Sequence, residues 1–466
     1  MTTPFYSDNL ATLYQGDVRE VLAEMPDESV HCAITSPPYW GLRDYGTASW
    51  EGGDPECEHV QRIMHGTGRS TLRTDGRPHP GLHESDKTAN QTIPYRDVCG
   101  KCGAVRIDNQ LGLEPTPELY IEHMVEVFRA VRRVLRSDGT CWVNMGDCYA
   151  TGAGSGREMG GKCFGKQNPV IDGASYPQNQ PNRMRLEGLK PKDLVGMPWR
   201  LAFALQADGW WLRSEIIWAK PNPMPESVTD RPTKSHEYLF LLAKSAKYYY
   251  DAEAVRESTE GSDTHSHGHK LSPPIEDAGI GHIGWSRSTA TILSARNKRS
   301  VWTIATEACP EAHFATFPRA LVRPCILAGT SEKGVCPKCQ APWVRVVEKG
   351  ARQPEPNRSP PKRLEPGQAG NVGAGNMGFR ASKLSGQEMA EWRATHPDLT
   401  LGWRPSCACG EAEVIPATVL DFFAGSGTTL EVAKSLGRRG IGIELSADYC
   451  RIAVKARLKG QESLGL

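Results

Sequence analysis

The stretch ATVLDFFAGSGTTLEVAKSLGRRGIGIELSADYC, residues 417–450, decides the fold class. An apolar run through Leu420 is followed by a glycine-containing turn, an amphipathic stretch and a second apolar run that ends at Glu444. This order predicts a strand, a tight turn, a helix and a strand, which is the repeating unit of a parallel α/β sheet. Gly425 and Gly427 allow a ligand to approach the backbone, and the first turn of the helix offers free N–H groups. The pattern predicts a ligand site at the end of the first strand.

The acidic end of the second strand indicates what kind of ligand this site binds. Glu444 follows the glycine turn by about twenty residues, the spacing at which a carboxylate reaches ribose hydroxyls. The Gly-Lys-Ser/Thr of a phosphate loop is absent, which argues against an NTPase, and the third glycine of a dinucleotide fingerprint is missing. A nucleoside ligand fits these features, and an ordinary strand–helix turn is the alternative.

A second unusual stretch, HCAITSPPYWGLRDYG, lies near the N-terminus at residues 31–46. The apolar run from Cys32 to Ile34 predicts a buried strand. This strand stops at Ser36, two consecutive prolines and Tyr39, and the locked φ angles of the prolines make a rigid corner. Trp40 either lines a pocket there or packs in the core.

The rest of the chain alternates between helix and strand patterns. Thr116 is the expected N-cap and Pro117 the first residue of a helix that ends at Asp138-Gly139, followed by the strand TCWVNMG. A helix is predicted around LVGMPWRLAFALQADG, two apolar strands in WWLRSEIIWAK and EYLFLLAKSAKYYY, and a further helix in FPRALVRPCILAG. Loops are predicted over 151–190 and 350–400, which are rich in glycine and proline. The whole pattern favours a mostly parallel sheet with insertions.

Composition narrows the class of protein. A chain of 466 residues with 39% hydrophobic content and a net charge of +1 predicts a globular protein of two or three units without massive non-specific nucleic-acid binding. No apolar run is long enough to span a membrane, and MTTPFYSDNL lacks the layout of a secretion signal, so we expect a cytoplasmic protein without a membrane partner. The 14 cysteines then indicate metal ligands rather than disulfides.

Eight residues form two sets of closely spaced soft ligands, each of the kind that a tetrahedral structural zinc requires. The first set is Cys57, His59, Cys99 and Cys102, and the second is Cys336, Cys339, Cys407 and Cys409. The alternative is four unconnected pairs in loops, because long gaps separate the pairs. His265, His267 and His269 suggest a third site, for which a solvated loop is the preferred interpretation.

Two motifs together resemble those of a known family. DFFAGSGTT, residues 421–429, resembles the S-adenosyl-L-methionine loop of DNA amino-methyltransferases, and TSPPYW, residues 35–40, resembles their catalytic tetrapeptide. The catalytic motif precedes the cofactor loop, as in the permuted group whose target-recognition region lies between the two. The implied fold is α/β, a circularly permuted Rossmann-like methyltransferase sheet with inserted zinc-knuckle and recognition subdomains.

The resemblance also implies a division of the chain and roles for individual residues. The implied parts are 1–50 with 111–250 (catalytic half), 51–110 (insertion with a zinc site), 251–300 (target recognition), 301–335 with 410–466 (cofactor half) and 336–409 (insertion with a zinc site and linker). The implied catalytic residues are Ser36, Pro37, Pro38 and Tyr39. The implied cofactor-binding residues are Asp17 near the adenine, Phe317, Pro318, Asp421, Phe422, Phe423, Ala424, Gly425, Ser426, Gly427, Thr428, and Glu444 on the ribose.

The tetrapeptide suits the implied reaction. An exocyclic amino group is a poor nucleophile because its lone pair is delocalised into the base. The Ser36 oxygen and the Pro37 carbonyl can accept its hydrogen bonds and aim the lone pair at a methyl group, while Tyr39 stacks on a base turned out of the duplex. Within the family, serine in the first position favours cytosine N4, with adenine N6 as the alternative.

Several alternatives and partners remain open at this stage. Pro324-Cys325 provides the dipeptide of cytosine C5 methyltransferases, although an ordinary buried cysteine fits its helical context better. A non-catalytic DNA-binding module on the same fold is the rival from another class. The expected partner is double-stranded DNA, with a cognate restriction nuclease left open. The candidates for DNA recognition are residues 251–300, with Arg287, Arg296, Lys298 and Arg299, and the zinc-pinned insertions. Solvated surface loops are the alternative interpretation of these segments.

Overall fold

The computed structural model describes residues 3–41, 48–63, 91–95, 98–108, 110–150, 188–258, 295–307, 317–348 and 399–459. The chain divides into two compact units. The first comprises Met1–Tyr248, Val301–Arg323 and Thr418–Leu466, and the second comprises Tyr249–Ser300 and Pro324–Ala417. The loops predicted over 151–190 and 350–400 lie almost wholly outside the described residues, as do Arg287 and the three histidines from His265 to His269.

The described strands and helices are numbered in chain order. The strands are β1 Tyr6–Ser7, β2 Ala11–Gln15, β3 Val30–Thr35, β4 Ser49–Glu51, β5 Val60–Ile63, β6 Gln91–Pro94, β7 Val105–Ile107, β8 Leu135–Met145, β9 Trp211–Ala219, β10 His236–Ala243, β11 Glu257–Ser258, β12 Ala295–Arg296, β13 Val301–Thr303, β14 Trp343–Glu348, β15 Leu399–Pro405, β16 Thr418–Asp421 and β17 Arg439–Glu444. The α-helices are α1 Val18–Glu24, α2 Pro117–Val134, α3 Met197–Ala207, α4 Arg319–Gly329, α5 Thr428–Ser435 and α6 Ala447–Ile452. A 3₁₀ turn covers Glu253–Val255, and a π-helical turn, Ala453–Leu458, continues α6.

A nine-stranded sheet in the order β1-β2-β17-β16-β3-β8-β10-β9-β13 forms the centre of the first unit. The pairs from β2 through β17, β16 and β3 to β8 are all parallel, and β13 is parallel to β9. Strand β10 runs antiparallel to both of its neighbours, and β1 runs antiparallel to β2. This is the mostly parallel α/β sheet predicted from the sequence. The last two strands of the chain, β16 and β17, lie between the first ones.

Apolar side chains cover both faces of the sheet. One cluster joins α1, α2 and α3 to the sheet, with Met124, Phe128 and Val131 of α2 fully buried in it. The other joins α5, α6 and the π-helical turn to Leu13 of β2. Neighbouring residues of a strand point to opposite faces, and Tyr14 accordingly packs against the first cluster. The arrangement is a sheet between two helical layers.

The end of α2 differs from the sequence-based expectation. The N-cap at Thr116 is confirmed, because its side chain accepts a hydrogen bond from the N–H of Leu119, but the helix ends at Val134 rather than at Asp138-Gly139. Leu135 already has extended backbone angles and pairs with Val30 as the first residue of β8. The register between β3 and β8 shifts just after this pair, so Asp138-Gly139 lies at an irregularity inside the strand.

The second unit contains two short antiparallel ladders, β11–β12 and β14–β15. Arg345 of β14 forms an ion pair with Asp251 at 3.0 Å, and its guanidinium lies 4.4 Å from the ring centroid of Trp403 on β15. Among the described residues of both units, no helix is long and apolar enough to cross a lipid bilayer.

Candidate active site

The Ser36–Tyr39 loop leaves the sheet at the carboxyl end of β3, whose six residues are all buried. Its backbone is held from the helical side: the Tyr120 hydroxyl of α2 donates to the Pro38 carbonyl at 2.8 Å. Trp40 is 1% exposed, and its indole N–H donates to the Glu114 carbonyl at 2.8 Å. Trp40 therefore packs in the core and fixes the far end of the loop.

The glycine loop leaves the sheet at the carboxyl end of the neighbouring strand, β16. Gly425 and Gly427 have φ angles of 51° and 81°, a region that side chains disfavour. A Cβ atom on Gly427 would lie 2.9 Å from the Cβ of Ala453, so the close approach of the π-helical turn also requires glycine there. Gly427 is the N-cap of α5, and no side chain caps this helix. The backbone N–H groups in the first turn of α5 therefore lie next to the glycine loop.

Asp421 joins the two loops. The Thr35 hydroxyl, one residue before Ser36, donates to Asp421 Oδ1 at 2.7 Å across 386 residues of sequence. The Thr429 hydroxyl donates to Asp421 Oδ2 at 2.6 Å. Burial raises the pKa of Asp421 to about 6, although these two hydrogen bonds act in the opposite direction and lower it. Because β3 and β16 are parallel neighbours, the Ser36–Tyr39 tetrapeptide and the glycine loop emerge side by side.

Comparison with known proteins identifies the family of this chain. The family model N6_N4_Mtase, described as DNA methylase, matches residues 30–336 and 416–455. The chain belongs to this family. The methylase is 40% identical over 322 residues to Type II methyltransferase M.Cfr9I of Citrobacter freundii, covering 69% of this chain and 73% of that protein.

Two further matches are a second Type II methyltransferase and a solved structure. Type II methyltransferase M.SmaI of Serratia marcescens is 38% identical to the methylase over 319 residues, covering 68% of this chain and 75% of that protein. Among solved structures, the PvuII DNA methyltransferase (cytosine-N4-specific) aligns over 97% of this chain and 88% of its own with a TM-score of 0.44 and 12% identity.

Two further acidic residues of the predicted cofactor site lie at the same edge of the sheet. The Gly425 N–H donates to Glu444 Oε2 and the Ser446 N–H to Glu444 Oε1, both at 2.8 Å. Burial raises the pKa of Glu444 to about 7 despite these bonds. Asp17 caps α1, just after the strand that pairs with β17; burial opposes its ionisation, but hydrogen bonds from Arg19 outweigh burial and lower its pKa.

The predicted residues Phe317 and Pro318 immediately precede α4. Arg319, the first residue of that helix, donates to Glu431 of α5 at 3.0 Å and to Glu307 at 2.6 Å. Arg319 therefore ties the start of α4 to the helix that follows the glycine loop. Cys325, the alternative nucleophile, is completely buried within α4, as expected of an ordinary core cysteine.

Sequence reasoning missed the residues that hold Tyr39. The Tyr39 hydroxyl donates to Glu237 Oε2 of β10 at 2.8 Å, and Lys220 forms an ion pair with the same carboxylate. Glu237 lies near the start of the largely apolar strand HEYLFLLA, and an acidic residue in such a strand was the available signal. No short-range sequence pattern links Glu237 to Tyr39.

The two cysteine sets converge as predicted. Within each set, all four ligand atoms lie within 4.8 Å of one another. The sulfurs of Cys57 and Cys99 are 3.8 Å apart, and the sulfur–sulfur edge of a zinc tetrahedron is about 3.8 Å. The ring of His59 stacks on Trp50 at 4.5 Å, and its Nδ1 lies 3.4 Å from the sulfur of Cys102. Each set has the composition and spacing to bind zinc.

Both Cys-x-x-Cys turns have the same backbone hydrogen bonds. In the first, the Cys99 N–H donates to Ala104 O at 2.8 Å, and the Gly103 N–H donates to Cys99 O at 2.8 Å. Gly103 and Gln340 occupy corresponding positions with positive φ angles of 76° and 57°. The corresponding bonds of the second turn are Cys336 N–H to Ala341 O (2.9 Å) and Gln340 N–H to Cys336 O (2.8 Å).

Three of the basic residues expected to read DNA are described. Arg296 and Arg299 both pair with Glu257 at 3.1 Å, and Lys298 lies 3.9 Å from the same carboxylate. Three positive charges thus surround one negative charge.

Proposed function

We propose that the methylase transfers a methyl group from S-adenosyl-L-methionine to the exocyclic N4 of cytosine in double-stranded DNA. The observation that carries this proposal is the 2.7 Å bond between Thr35 and Asp421, because it sets Ser36 beside the glycine loop. Serine at the first position of the tetrapeptide favours cytosine N4 over adenine N6.

The residues of this chain orient both reactants. The Ser36 oxygen and the Pro37 carbonyl accept the amino hydrogens of the base and direct its lone pair, and Tyr39 stacks on the base. Glu444 accepts hydrogen bonds from ribose hydroxyls, Asp17 lies near the adenine, and the loop from Asp421 to Thr428 surrounds the methionine end, with Phe317 and Pro318 beside it. When bound, S-adenosyl-L-methionine supplies a methyl group on a positively charged sulfur.

The cysteine sets, in this proposal, each hold one structural zinc ion. Methyl transfer needs no metal, and the two sets belong to insertions of short ladders such as β4–β7 and β14–β15. Such small modules lack a large core, so a metal supplies folding free energy that side-chain burial does not.

The proposed partner and setting follow from the substrate. A double-stranded DNA substrate and reduced thiol ligands support a cytoplasmic location, which is part of the proposal. Two relatives are named Type II methyltransferases, and by extension a nuclease with the same recognition sequence is the proposed counterpart of this enzyme. The basic residues around Glu257 are proposed to contribute to DNA recognition.

A labelling experiment tests the function. The purified chain is incubated with methyl-labelled S-adenosyl-L-methionine and plasmid DNA from a host without methyltransferases, and the DNA is digested to nucleosides. Labelled N4-methylcytosine is the expected product, and sequencing of the modified plasmid identifies the site. Labelled N6-methyladenine would change the target base, and DNA without label would support a non-catalytic DNA-binding module.

The Ser36→Ala variant tests the assignment of the tetrapeptide. We expect turnover to fall at least about a hundredfold, because an acceptor for the reacting amino group is lost, while cofactor affinity stays at the wild-type value. Isothermal titration calorimetry measures that affinity. A variant that no longer binds the cofactor would show that Ser36 has been assigned the wrong role.

A further inference from the structure

Tyr39 is held at its hydroxyl by a charged pair from the antiparallel part of the sheet. Its hydroxyl donates to Glu237 Oε2 at 2.8 Å, and Lys220 donates to the other oxygen of that carboxylate. Both charged side chains are 18% exposed. A hydrogen bond to a carboxylate that a cation holds in place is short and directional, so it restricts the position of the phenol.

The charged pair is itself fixed by the strands that carry it. The Lys220 N–H donates to the Ser235 carbonyl at 2.8 Å, where β9 gives way to the connection to β10. The Lys220 ammonium lies 4.3 Å from the ring centroid of Trp218, and Trp218 pairs with Glu237 across the ladder. The cation and the carboxylate are therefore held by adjacent strands in fixed register.

The ring of Tyr39 is also confined from the side of β8. A Cβ atom on Gly146 would lie 2.8 Å from Cε2 of the ring and 3.3 Å from Cδ2. Asn144 Oδ1 lies 3.3 Å from the hydroxyl, and the amide of Asn144 donates to the Tyr238 carbonyl. The phenol has a single proton, and Glu237 is its nearer acceptor.

The charge on Glu237 keeps the phenol a donor. Burial, and then the neighbouring carboxylate, raise the pKa of Tyr39 well above its ordinary value. The hydroxyl therefore stays protonated and remains bonded to Glu237. Because the hydroxyl is bonded to Glu237, the aromatic ring is the part of Tyr39 that is available to contact a substrate.

We propose that Lys220 and Glu237 are positioning residues, which hold the Tyr39 ring in place as a preformed surface on which the extruded base stacks. The pair contacts neither the base nor the cofactor in this proposal and acts through the ring alone. It rests on the proposed function, because it assigns the pair to the base-binding side of that reaction. Its effect falls on the rate of methyl transfer, since an ordered ring reduces the number of unproductive base orientations.

A double-mutant cycle separates positioning from general stability. The substitutions are Tyr39→Phe, which removes the hydroxyl and keeps the ring, and Glu237→Gln, which keeps the shape and removes the charge. With plasmid DNA and labelled S-adenosyl-L-methionine, each single variant should lower kcat about tenfold and leave the cofactor dissociation constant unchanged. The double variant should be about as active as Tyr39→Phe alone. Glu215→Gln, the same change at an exposed site on β9, is the matched control.

The cycle gives results that contradict the proposal as clearly as results that support it. Losses that multiply in the double variant would mean that Glu237 acts independently of the Tyr39 hydroxyl, and a Glu237→Gln enzyme with wild-type kcat would mean that it has no role. Either result overturns the proposal.

A spectroscopic readout covers the case in which the wild-type chain methylates no DNA. With 3-fluorotyrosine at position 39, the ¹⁹F resonance should shift in Glu237→Gln and stay in place in Glu215→Gln. Absence of methylation with this shift present would refute the proposed function and leave the positioning intact. An unchanged resonance in Glu237→Gln overturns the positioning.

Discussion

Two buried carboxylates, Asp421 and Glu444, lie at the carboxyl edge of the sheet beside the glycine loop. Neither has an ion-pair partner among the described residues, and both are stabilised by hydroxyl and backbone N–H donors. Burial without a cation raises both pKa values, to about 6 and about 7. The charge state of this edge therefore changes near neutral pH.

We expect the affinity for S-adenosyl-L-methionine to fall as the pH is lowered through the pKa of Glu444, about 7. Below that pKa a proton must leave Glu444 before the carboxylate can accept ribose hydroxyls, so the dissociation constant should rise about tenfold from about pH 8 to about pH 6. Calorimetric titration measures the change. Glu444→Gln should bind more weakly with a flatter profile, and a flat wild-type profile would contradict the role of Glu444.

The same shift has the opposite sign for the stability of the cofactor-free protein. The folded pKa of Glu444 lies above the ordinary glutamate value of 4.5, so the native state binds more protons than the unfolded state between pH 4.5 and about 7. The contribution of this group to the free energy of unfolding therefore falls as the pH rises through that window.

At the level of elements, α5 is anchored by a buried ion pair. Arg457 of the π-helical turn donates to Glu431 Oε2 of α5 at 2.8 Å, and these side chains are 6% and 9% exposed. Arg319 holds the other oxygen of Glu431. One carboxylate thus connects the helix after the glycine loop with two segments that are distant in sequence.

We expect Glu431→Gln to lower the free energy of unfolding by about 3 kcal/mol, because the buried Arg457 loses its nearer carboxylate and keeps only the more distant Glu307, at 3.9 Å, among the described residues. Urea denaturation of the full chain measures this. Asp448→Asn, which removes the exposed partner of Arg451, is the control and should change stability little. Equal effects of the two substitutions would contradict a special contribution from burial.

The elements that local sequence encodes were predicted well. The strand, glycine turn, helix and strand from Thr418 to Glu444 are confirmed, because hydrophobic periodicity and turn residues act over a few positions. The predicted end of α2 was wrong by several residues. Leu135 enters β8 because it pairs with Val30, and a tertiary pairing leaves no signal in the helical periodicity.

At the scale of the whole molecule, the two cysteine sets have the same local architecture. Each cysteine set combines a Cys-x-x-Cys turn with a second, distant pair, and the two turns share their backbone hydrogen bonds. The spacing of the turns was visible in the sequence. The choice of partner pair across the long gaps required the fold.

The purified chain should contain two zinc ions, one for each set, as measured by mass spectrometry of the metal. Cys102→Ser and Cys339→Ser should each lose one ion, because three ligands hold zinc much more weakly than four. Chelation should also increase proteolysis of both insertions. Cys163→Ser, outside both sets, is the control. A chain that purifies without zinc and resists proteolysis equally well would refute metal binding.

The sequence by itself determined the local helices and strands, the turn chemistry of the Ser36–Tyr39 loop and the glycine loop, and the residue types in the two cysteine sets. These features depend on backbone preference and side-chain chemistry within a few neighbouring residues. Only the tertiary structure decided that β3 lies next to β16, so that Thr35 reaches Asp421, and that Glu237 holds Tyr39. The neighbours of a strand depend on the order of the whole sheet, where segments hundreds of residues apart pair through backbone groups that every residue carries.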